Sequence, residues 1–240
     1  MGFRTPKRRP AQDYAELRDK PSRTRAEELR YAEAARAYAV ELGDAGRRDE
    51  ALAVGAEAVA ASRAAYTAQP ARHRRLHGES LVSLATLSLA GLPASLDEIR
   101  TLTDEAFAVL RPWRDDRAPA RVRLVSRAYA TRGHAELEVG EPATAEPLLW
   151  RAHETACRFS ARYRTTPENL RWWAGVVSAL ARCRRAAGDT DGGDQLAAQA
   201  HKLAEAAKGM ARAGKELRAA VSDVRDTLRG RAVRAPDNDG

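Results

Sequence analysis

Hydrophobic and polar positions follow the period of an α-helix along most of the chain, and alanine fills many of the apolar positions. Residues 39–60, AVELGDAGRRDEALAVGAEAVA, show the pattern: an alanine-rich run stops at a glycine, resumes after a charged stretch, and keeps a small residue at nearly every turn. Apolar residues on one face predict amphipathic helices. Because these faces carry little bulk, they favour close contact between helices over a core covered by a sheet. The pattern therefore predicts an all-α protein.

This helix–turn–helix pattern recurs at a nearly fixed interval. Four copies align on an alanine near the middle of their second helix, with spacings of 48, 46 and 48 residues: Ala58, Ala106, Ala152 and Ala200. Each copy has a first helix that ends at or near a glycine: Gly46, Gly91, Gly140 and Gly188. We name the two helices of each unit helix A and helix B. Such a repeat predicts an α-solenoid, in which stacked units complete one another's core.

At these positions the chain resembles the tetratricopeptide repeat (TPR) family. The match consists of a small residue in helix A, a glycine seven residues later, and alanines five and twelve residues after that glycine; the third unit has all four, as Gly133, Gly140, Ala145 and Ala152. The period exceeds the family's usual length of about 34 residues, as in the long-repeat arrays common in bacterial regulatory proteins. The second unit matches least well.

The resemblance implies four antiparallel helix pairs in a TPR-like repeat domain over residues 25–209. The predicted units cover about 25–70, 71–112, 118–165 and 166–209. Two charged residues, Arg132 and Glu136, stand on helix A of the third unit where the family has apolar residues.

Local signals mark the helix ends. Ser95 and Glu98 have the spacing of a capping box, and Thr166 precedes Pro167 as an N-cap does. A proline deep inside a helix breaks a hydrogen bond, so Pro147 predicts that helix B of the third unit begins at Thr144.

Three segments flank the repeats. Residues 1–24 are predicted to be a basic, flexible N-terminal segment, 210–229 a C-terminal helix, and 230–240 a disordered tail. Apolar residues from Leu196 to Leu228 form an a/d heptad seam, so helix B of the fourth unit either runs on or re-forms with the same face inward until Gly230. The C-terminal helix is expected to cap the fourth unit or to form a homodimer with its copy in a second chain.

Composition narrows the class of protein. The chain has 240 residues, 44% hydrophobic and 31% charged, as expected for a soluble globular protein. Neither a secretory signal nor an apolar run long enough to cross a membrane is present, so we expect no membrane association. Two cysteines, Cys157 and Cys183, form no CxxC pair and suit a reducing compartment. Together these features predict a cytoplasmic protein.

The formal net charge of +8 raises nucleic acid and acidic proteins as partners. Only five of the 41 basic residues are lysine. An excess of arginine with alanine, glycine and proline is what GC-rich codons produce, so codon usage explains much of the charge. Both kinds of partner stay open.

No set of residues points to catalysis. His153 and Cys157 lie four apart and could hold a metal, but no second pair follows, so packing in the core is the favoured interpretation. The glycine-rich stretch 188–193, GDTDGG, lacks the lysine of a phosphate-binding loop. No nucleophile, base and orienting group stand out together. We therefore expect no enzyme, no cofactor and no metal.

The TPR resemblance implies that a peptide or helix binds along the concave side, which is lined by helix A of each unit. Carrying this over by position gives seven groove residues: Arg36, Val40, Thr86, His134, Ser178, Arg182 and Arg185. A basic groove predicts an acidic peptide or a terminal carboxylate, held by arginine forks. The predicted function is a non-enzymatic scaffold or regulatory module for protein–protein interaction.

The alternative is a nucleic-acid-associated transcriptional regulator or sensor. It would use the basic tail 1–9 and an arginine-rich patch at 158–185, which holds seven arginines and one acidic residue, Glu168. A third hypothesis makes the chain the sensor of a signalling system whose effector is a separate protein.

Overall fold

The structure of the protein is a computed structural model that describes residues 9–113, 118–160 and 166–232. Within these ranges all regular secondary structure is helical, which confirms the all-α prediction there. Two short 3₁₀ segments, Leu89–Gly91 and Arg111–Trp113, accompany nine α-helices: α1 (Pro10–Arg18), α2 (Arg25–Asp44), α3 (Arg48–Ala68), α4 (Pro70–Ser88), α5 (Leu96–Leu110), α6 (Pro119–Glu138), α7 (Pro142–Ser160), α8 (Pro167–Ala186) and α9 (Thr190–Ala232).

Helices α2 to α9 form pairs of neighbours along the chain. The helices of a pair, α2 with α3, α4 with α5, α6 with α7, and α8 with α9, pack against each other in an antiparallel manner. Successive pairs also touch, and α2, α4, α6 and α8 contact one another in that order. The first helices of the pairs therefore form a row along one side.

Three of the four predicted turn glycines end the first helix of a pair in the same way. Gly46, Gly140 and Gly188 have φ angles of +75°, +86° and +87°, which glycine adopts without the strain of a Cβ atom. At the first of them, the Gly46 N–H donates to the Gly43 carbonyl and the Arg47 N–H to the Leu42 carbonyl. These two bonds satisfy carbonyl groups that the helix end leaves free. The fourth glycine, Gly91, lies in a 3₁₀ segment within a longer turn.

The predicted helix starts are confirmed at one position and wrong at two. Thr166 accepts a hydrogen bond from the Asn169 N–H, as an N-cap does. Ser95 forms no capping box, because its hydroxyl donates to the Ser88 carbonyl instead, at 2.6 Å. Helix α7 begins at Pro142 rather than Thr144, which leaves Pro147 inside the helix. The carbonyl that its missing N–H would have bonded belongs to Ala143, an exposed residue.

Small residues form the contact between the helices of each pair. The four aligned alanines are all buried: Ala58 is 1% exposed, Ala106 and Ala152 0%, and Ala200 7%. The backbones approach so closely that a Cβ atom on Gly133 of α6 would lie 2.7 Å from the Leu149 side chain of α7. The alignment of the units therefore identified buried positions correctly.

The two charged residues of α6 at apolar positions are explained by an ion-pair network. Glu136 is fully buried and accepts hydrogen bonds from Arg100 of α5, at 3.1 and 2.7 Å, and from Arg132, at 2.5 Å. Arg132 also donates to the Arg100 carbonyl and the Thr103 hydroxyl. The hydrogen bonds from Arg100 and Arg132 lower the pKa of Glu136 below its ordinary value. The network joins the second helix pair to the third.

The N-terminal segment differs from the expectation of a flexible chain over residues 1–24. Residues 10–18 form α1, whose Tyr14 and Leu17 are buried against the rest of the fold. The hydroxyl groups of Tyr14 and Tyr31 both donate to the Glu57 carboxylate of α3, which fixes α1 on the first helix pair. Residues 1–8 lie outside the described part of the chain.

At the C-terminal end, α9 is one helix of 43 residues, whereas its partner α8 has 20. It runs through Gly209 and Gly214 without a break and ends at Ala232 rather than Gly230. The C-terminal helix predicted over 210–229 is therefore continuous with helix B of the fourth unit, which is the first of the two expected alternatives. Ala207 is buried and Met210 is 41% exposed. The side chains of the seam from 215 onwards, and the tail from 233, lie outside what the structure describes.

In the described ranges, no helix has the length and apolar character needed to cross a membrane.

Replacing Ala152 by glutamate tests the contact between α6 and α7. The substitution inserts a bulky charge into a fully buried position and should lower the free energy of unfolding by about 3 kcal/mol or more. Ala143→Glu is the matched control, because Ala143 is exposed in the first turn of the same helix and should tolerate the charge. Urea denaturation of both variants measures the difference. Equal stability of the two would contradict the assigned packing.

The turn glycines allow a second test. Gly140→Ala forces a Cβ atom into a left-handed conformation and should cost about 1–2 kcal/mol of stability. Gly175→Ala should instead stabilise by about 1 kcal/mol, because Gly175 lies inside α8 with no atom within 4 Å of an added Cβ. Opposite shifts in thermal melting are the expected result, and a destabilised Gly175→Ala would refute the packing of α8.

Candidate functional site

All seven predicted groove residues lie on the row of first helices. They fall on α2, α4, α6 and α8, and five of the seven are exposed. Arg36 and His134 are partly buried. These residues therefore lie on helices that contact one another in order, and their charges decide what the surface could bind.

The two predicted groove arginines of α8 are neutralised by neighbouring carboxylates. Arg182 donates to Glu138 of α6 at 2.6 Å. Arg185 donates to Asp194 of α9 at 3.1 and 2.7 Å. Burial, and to a lesser extent Arg182, lower the pKa of the nearby His134, while Glu138 opposes the shift. The excess of positive charge predicted for this end of the groove is therefore largely cancelled.

An excess of positive charge remains where α2, α4 and α6 meet. A cavity of about 180 Å³ opens there between the three helices. Four arginines and one carboxylate line it together with small and apolar residues: Arg36, Arg75, Glu79, Val82, Ser83, Ala120, Arg123, Leu124 and Arg127. We name this space the arginine cavity.

Glu79 pairs with two of the four arginines. Its carboxylate lies 2.7 Å from Arg75 Nε and 3.4 Å from Arg36 Nη2. The Nε atom of Arg36 is buried and has no hydrogen-bond partner in the described part of the protein. The guanidinium of Arg36 is thus held in place by Glu79, yet keeps a free donor.

The other two arginines, Arg123 and Arg127, are one turn apart on α6. Neither forms an ion pair or a side-chain hydrogen bond with any residue that the structure describes. Both side chains are exposed, yet the protein atoms close to the Arg127 guanidinium remove part of its hydration and lower its pKa. The charges of Arg123 and Arg36 lower that pKa further, and Glu79 opposes them. These unpaired cations repel each other and would be stabilised by an anion.

The sequence contained a signal for the residues that the groove prediction missed. Arg127 lies seven residues before His134 on α6, and Glu79 lies seven before Thr86 on α4. Residues seven apart share a helix face, so extending the predicted face by two turns reaches the arginine cavity. The sequence did not indicate which arginines are paired.

A second candidate, around His153, is a packed cluster. Its Nδ1 atom accepts from Trp173 Nε1 at 3.0 Å, which assigns the proton to Nε2, 3.5 Å from Cys157 Sγ. Burial lowers the pKa of His153 and raises that of the Cys157 thiol, so a reactive thiolate is disfavoured. Across the described residues, no three metal-ligating side chains come together.

A third candidate resembles a serine–histidine–carboxylate arrangement. His77 is 1% exposed, with Nδ1 3.1 Å from the Ser62 hydroxyl and Nε2 3.0 Å from Glu105. Glu105 also accepts two hydrogen bonds from Arg63. Ser62 is fully buried and donates to the Val59 carbonyl, so no substrate can reach it. The cluster joins α3, α4 and α5 and stabilises their packing.

No model of a protein family matches the chain, and neither the curated proteins nor the solved structures contain a significant match to it. Functional arguments therefore depend on the geometry of the site itself.

The His77 cluster predicts how stability changes with pH. Burial lowers the pKa of His77, and the hydrogen bond from Arg63 lowers that of Glu105. For both groups the unfolded chain binds protons more readily than the folded chain, so acid favours unfolding. Stability should fall as the pH drops from about 7 to about 5, starting near the ordinary pKa of histidine, and Glu105 adds to the loss only below its ordinary pKa of 4.5. Burial also lowers the pKa values of three other histidines, which share in the decline: His73, His134 and His153.

His77→Gln removes this titration and should flatten the decline, as measured by urea denaturation across that pH range. His201→Gln, at an exposed position of α9, is the control and should leave the slope of the wild type unchanged. An equally steep decline in His77→Gln would show that His77 does not contribute to it.

Proposed function

We propose that the protein is a non-catalytic TPR-like α-solenoid of four helix pairs, acting as a scaffold or regulatory module. It binds an acidic segment of a partner protein along the row of α2, α4, α6 and α8. Two findings support the solenoid: the aligned alanines are buried in every pair, and the first helices contact one another in order. The observation that carries the binding role is the arginine cavity with its two unpaired guanidinium groups.

The charges along the row determine the orientation in which the acidic segment binds. Unpaired arginines stand at the end formed by α2, α4 and α6. Thr86 of α4 and Thr131 of α6, whose hydroxyl oxygens are 3.1 Å apart, lie about one to two turns further along these helices and carry no charge. The paired Arg182 and the exposed Ser178 follow on α8. The most acidic part of the ligand therefore binds at the arginine cavity, and less charged residues extend towards α8.

Nucleic-acid binding is the weaker candidate. Of the arginines in the patch 158–185, Arg182 and Arg185 are paired as described above, and Arg184 lies 2.9 Å from Glu146 and 3.3 Å from Asp189. Arg158, Arg162 and Arg164 fall outside the described side chains, as residues 1–8 of the basic tail fall outside the described chain. Among the described arginines of the patch, the exposed Arg171 alone lacks an ion-pair partner in the described part of the protein, so the patch offers little free charge to a phosphate backbone.

The length of α9 leads us to a proposal about assembly. At the usual helical rise, α8 is about 30 Å long and α9 about 65 Å, so α8 alone does not cover the whole of α9. Since α9 does not break to fold back, we favour a homodimer through the seam over a cap on the fourth unit.

Neutralising the arginines in pairs tests the binding role. Arg123→Gln with Arg127→Gln should weaken binding of short acidic peptides by about 2 kcal/mol or more, roughly 30-fold, because each unpaired guanidinium loses a charge-assisted hydrogen bond. Arg182→Gln with Arg185→Gln removes the same charge but from paired groups, and should change affinity far less. Fluorescence anisotropy with labelled peptides measures both.

Equal losses in the two double variants would place the site elsewhere, and failure of every acidic peptide to bind would refute the proposal. A DNA duplex provides the alternative ligand. Strong DNA binding that falls by orders of magnitude from about 50 to 200 mM salt would favour the nucleic-acid function instead.

A further inference from the structure

The arginine cavity carries more positive charge than one carboxylate neutralises. Glu79 already pairs with Arg75 and Arg36, so the negative charge in the wall is committed to these two side chains. Arg123 and Arg127 stay unpaired in the described structure and face the same space. A ligand with a single negative charge leaves one of them without a partner, whereas a doubly charged group serves both.

The hydrogen-bond donors of the cavity also outnumber the two oxygens of a carboxylate. Besides the two free guanidinium groups, the buried Arg36 Nε lacks an acceptor. Ser83 lines the cavity, is 8% exposed, and has a hydroxyl without a hydrogen bond to any described residue. These donors come from three helices and therefore approach the space from different sides. An acceptor with three oxygens matches this arrangement better than a planar group with two.

We propose that the arginine cavity binds a phosphate monoester, carried by a phosphorylated side chain of the acidic partner segment. This inference rests on the proposed function and specifies its ligand. A phosphate monoester carries a charge of about −1.5 to −2 at neutral pH and three terminal oxygens. The volume of about 180 Å³ far exceeds the roughly 10–15 Å³ that one water molecule needs, so the group has room to enter.

Glu79 acts here as a positioning residue. Its carboxylate holds Arg75 and Arg36 at the mouth of the cavity, and its charge offsets part of the repulsion among the four guanidinium groups. Without a ligand, desolvation lowers the pKa of Arg127, and the field of the neighbouring positive charges lowers it further. A bound dianion reverses that field and stabilises the charged form of Arg127, and the charged guanidinium in turn strengthens binding of the dianion.

The same geometry disfavours a nucleic-acid phosphate. A phosphodiester has one negative charge, two free oxygens and a substituent on each side, and it comes as one of an extended series of charges. The described groove offers no matching series, because Arg182 and Arg185 beyond the cavity are already paired. One compact site for a dianion suits a single modified side chain.

The test compares probes and variants of the full-length chain at constant ionic strength. The probes are inorganic phosphate and three peptides of one acidic sequence that carry serine, glutamate or phosphoserine at the central position. The variants are Arg123→Gln with Arg127→Gln, Ser83→Ala, and Arg151→Gln as the control. Arg151 is 67% exposed on α7 and outside the cavity. Calorimetry gives the affinities, and circular dichroism with thermal melting confirms that each variant folds.

We expect inorganic phosphate to bind the wild type, and the phosphoserine peptide to bind at least about tenfold more tightly than the glutamate peptide. The double variant should lose both the binding of inorganic phosphate and the preference for the phosphoserine peptide. Ser83→Ala should weaken binding of the phosphoserine peptide more than that of the glutamate peptide, and Arg151→Gln should have the affinities of the wild type. Equal affinity for phosphoserine and glutamate would overturn the phosphate inference while leaving the acidic-peptide function intact.

The remaining outcomes separate the two proposals further. Phosphate that binds through Arg123 and Arg127 while no peptide binds would assign the site to a free phosphate compound and refute the protein partner. Phosphate binding that is equal in the wild type and the double variant would place the anion elsewhere and overturn the inference. No binding of any probe would refute both proposals.

Discussion

Close contact between helices at small residues is the constraint on which this fold depends. Ala106 and Ala152 are fully buried at the pairing of their helices, and Gly133 leaves no room for a Cβ atom against Leu149. Alanine contributes little apolar area, so a single helix pair buries too little surface to be stable alone. Each pair must therefore pack on the next, and the fold extends as a row of contacts between neighbours.

The junctions between pairs use buried polar groups where apolar bulk is scarce. Glu136 with Arg100 and Arg132 joins α5 to α6, and His77 with Ser62 and Glu105 joins α3, α4 and α5. Removing one partner from such a network leaves a buried charge or donor unsatisfied, at a cost of about 3–5 kcal/mol for a buried ion pair. These groups therefore favour one register of stacking over shifted alternatives.

Stacking of the first helices also decides where free charge is available for binding. Arginines of α2, α4 and α6 converge on one cavity that contains a single carboxylate, Glu79. At α8, by contrast, stacking brings Glu138 to Arg182 and pairing brings Asp194 to Arg185. Arginines of the same formal charge thus differ in whether a carboxylate neutralises them. The geometry concentrates unpaired positive charge where α2, α4 and α6 meet.

The sequence by itself determined the helices, the turn glycines at Gly46, Gly140 and Gly188, and the buried alanines, because helical period and left-handed turns are local properties of the chain. It also placed the seven predicted groove residues on the four helices that contact one another in order. It could not determine which arginines are free, because Arg182 and Glu138 lie 44 residues apart and meet only through stacking. The docking of α1 onto Glu57 and the gathering of Arg123 and Arg127 with Arg36 have the same origin. Periodicity fixes the face of a helix, whereas the partner of a charge depends on which other face the tertiary structure brings within a few ångströms.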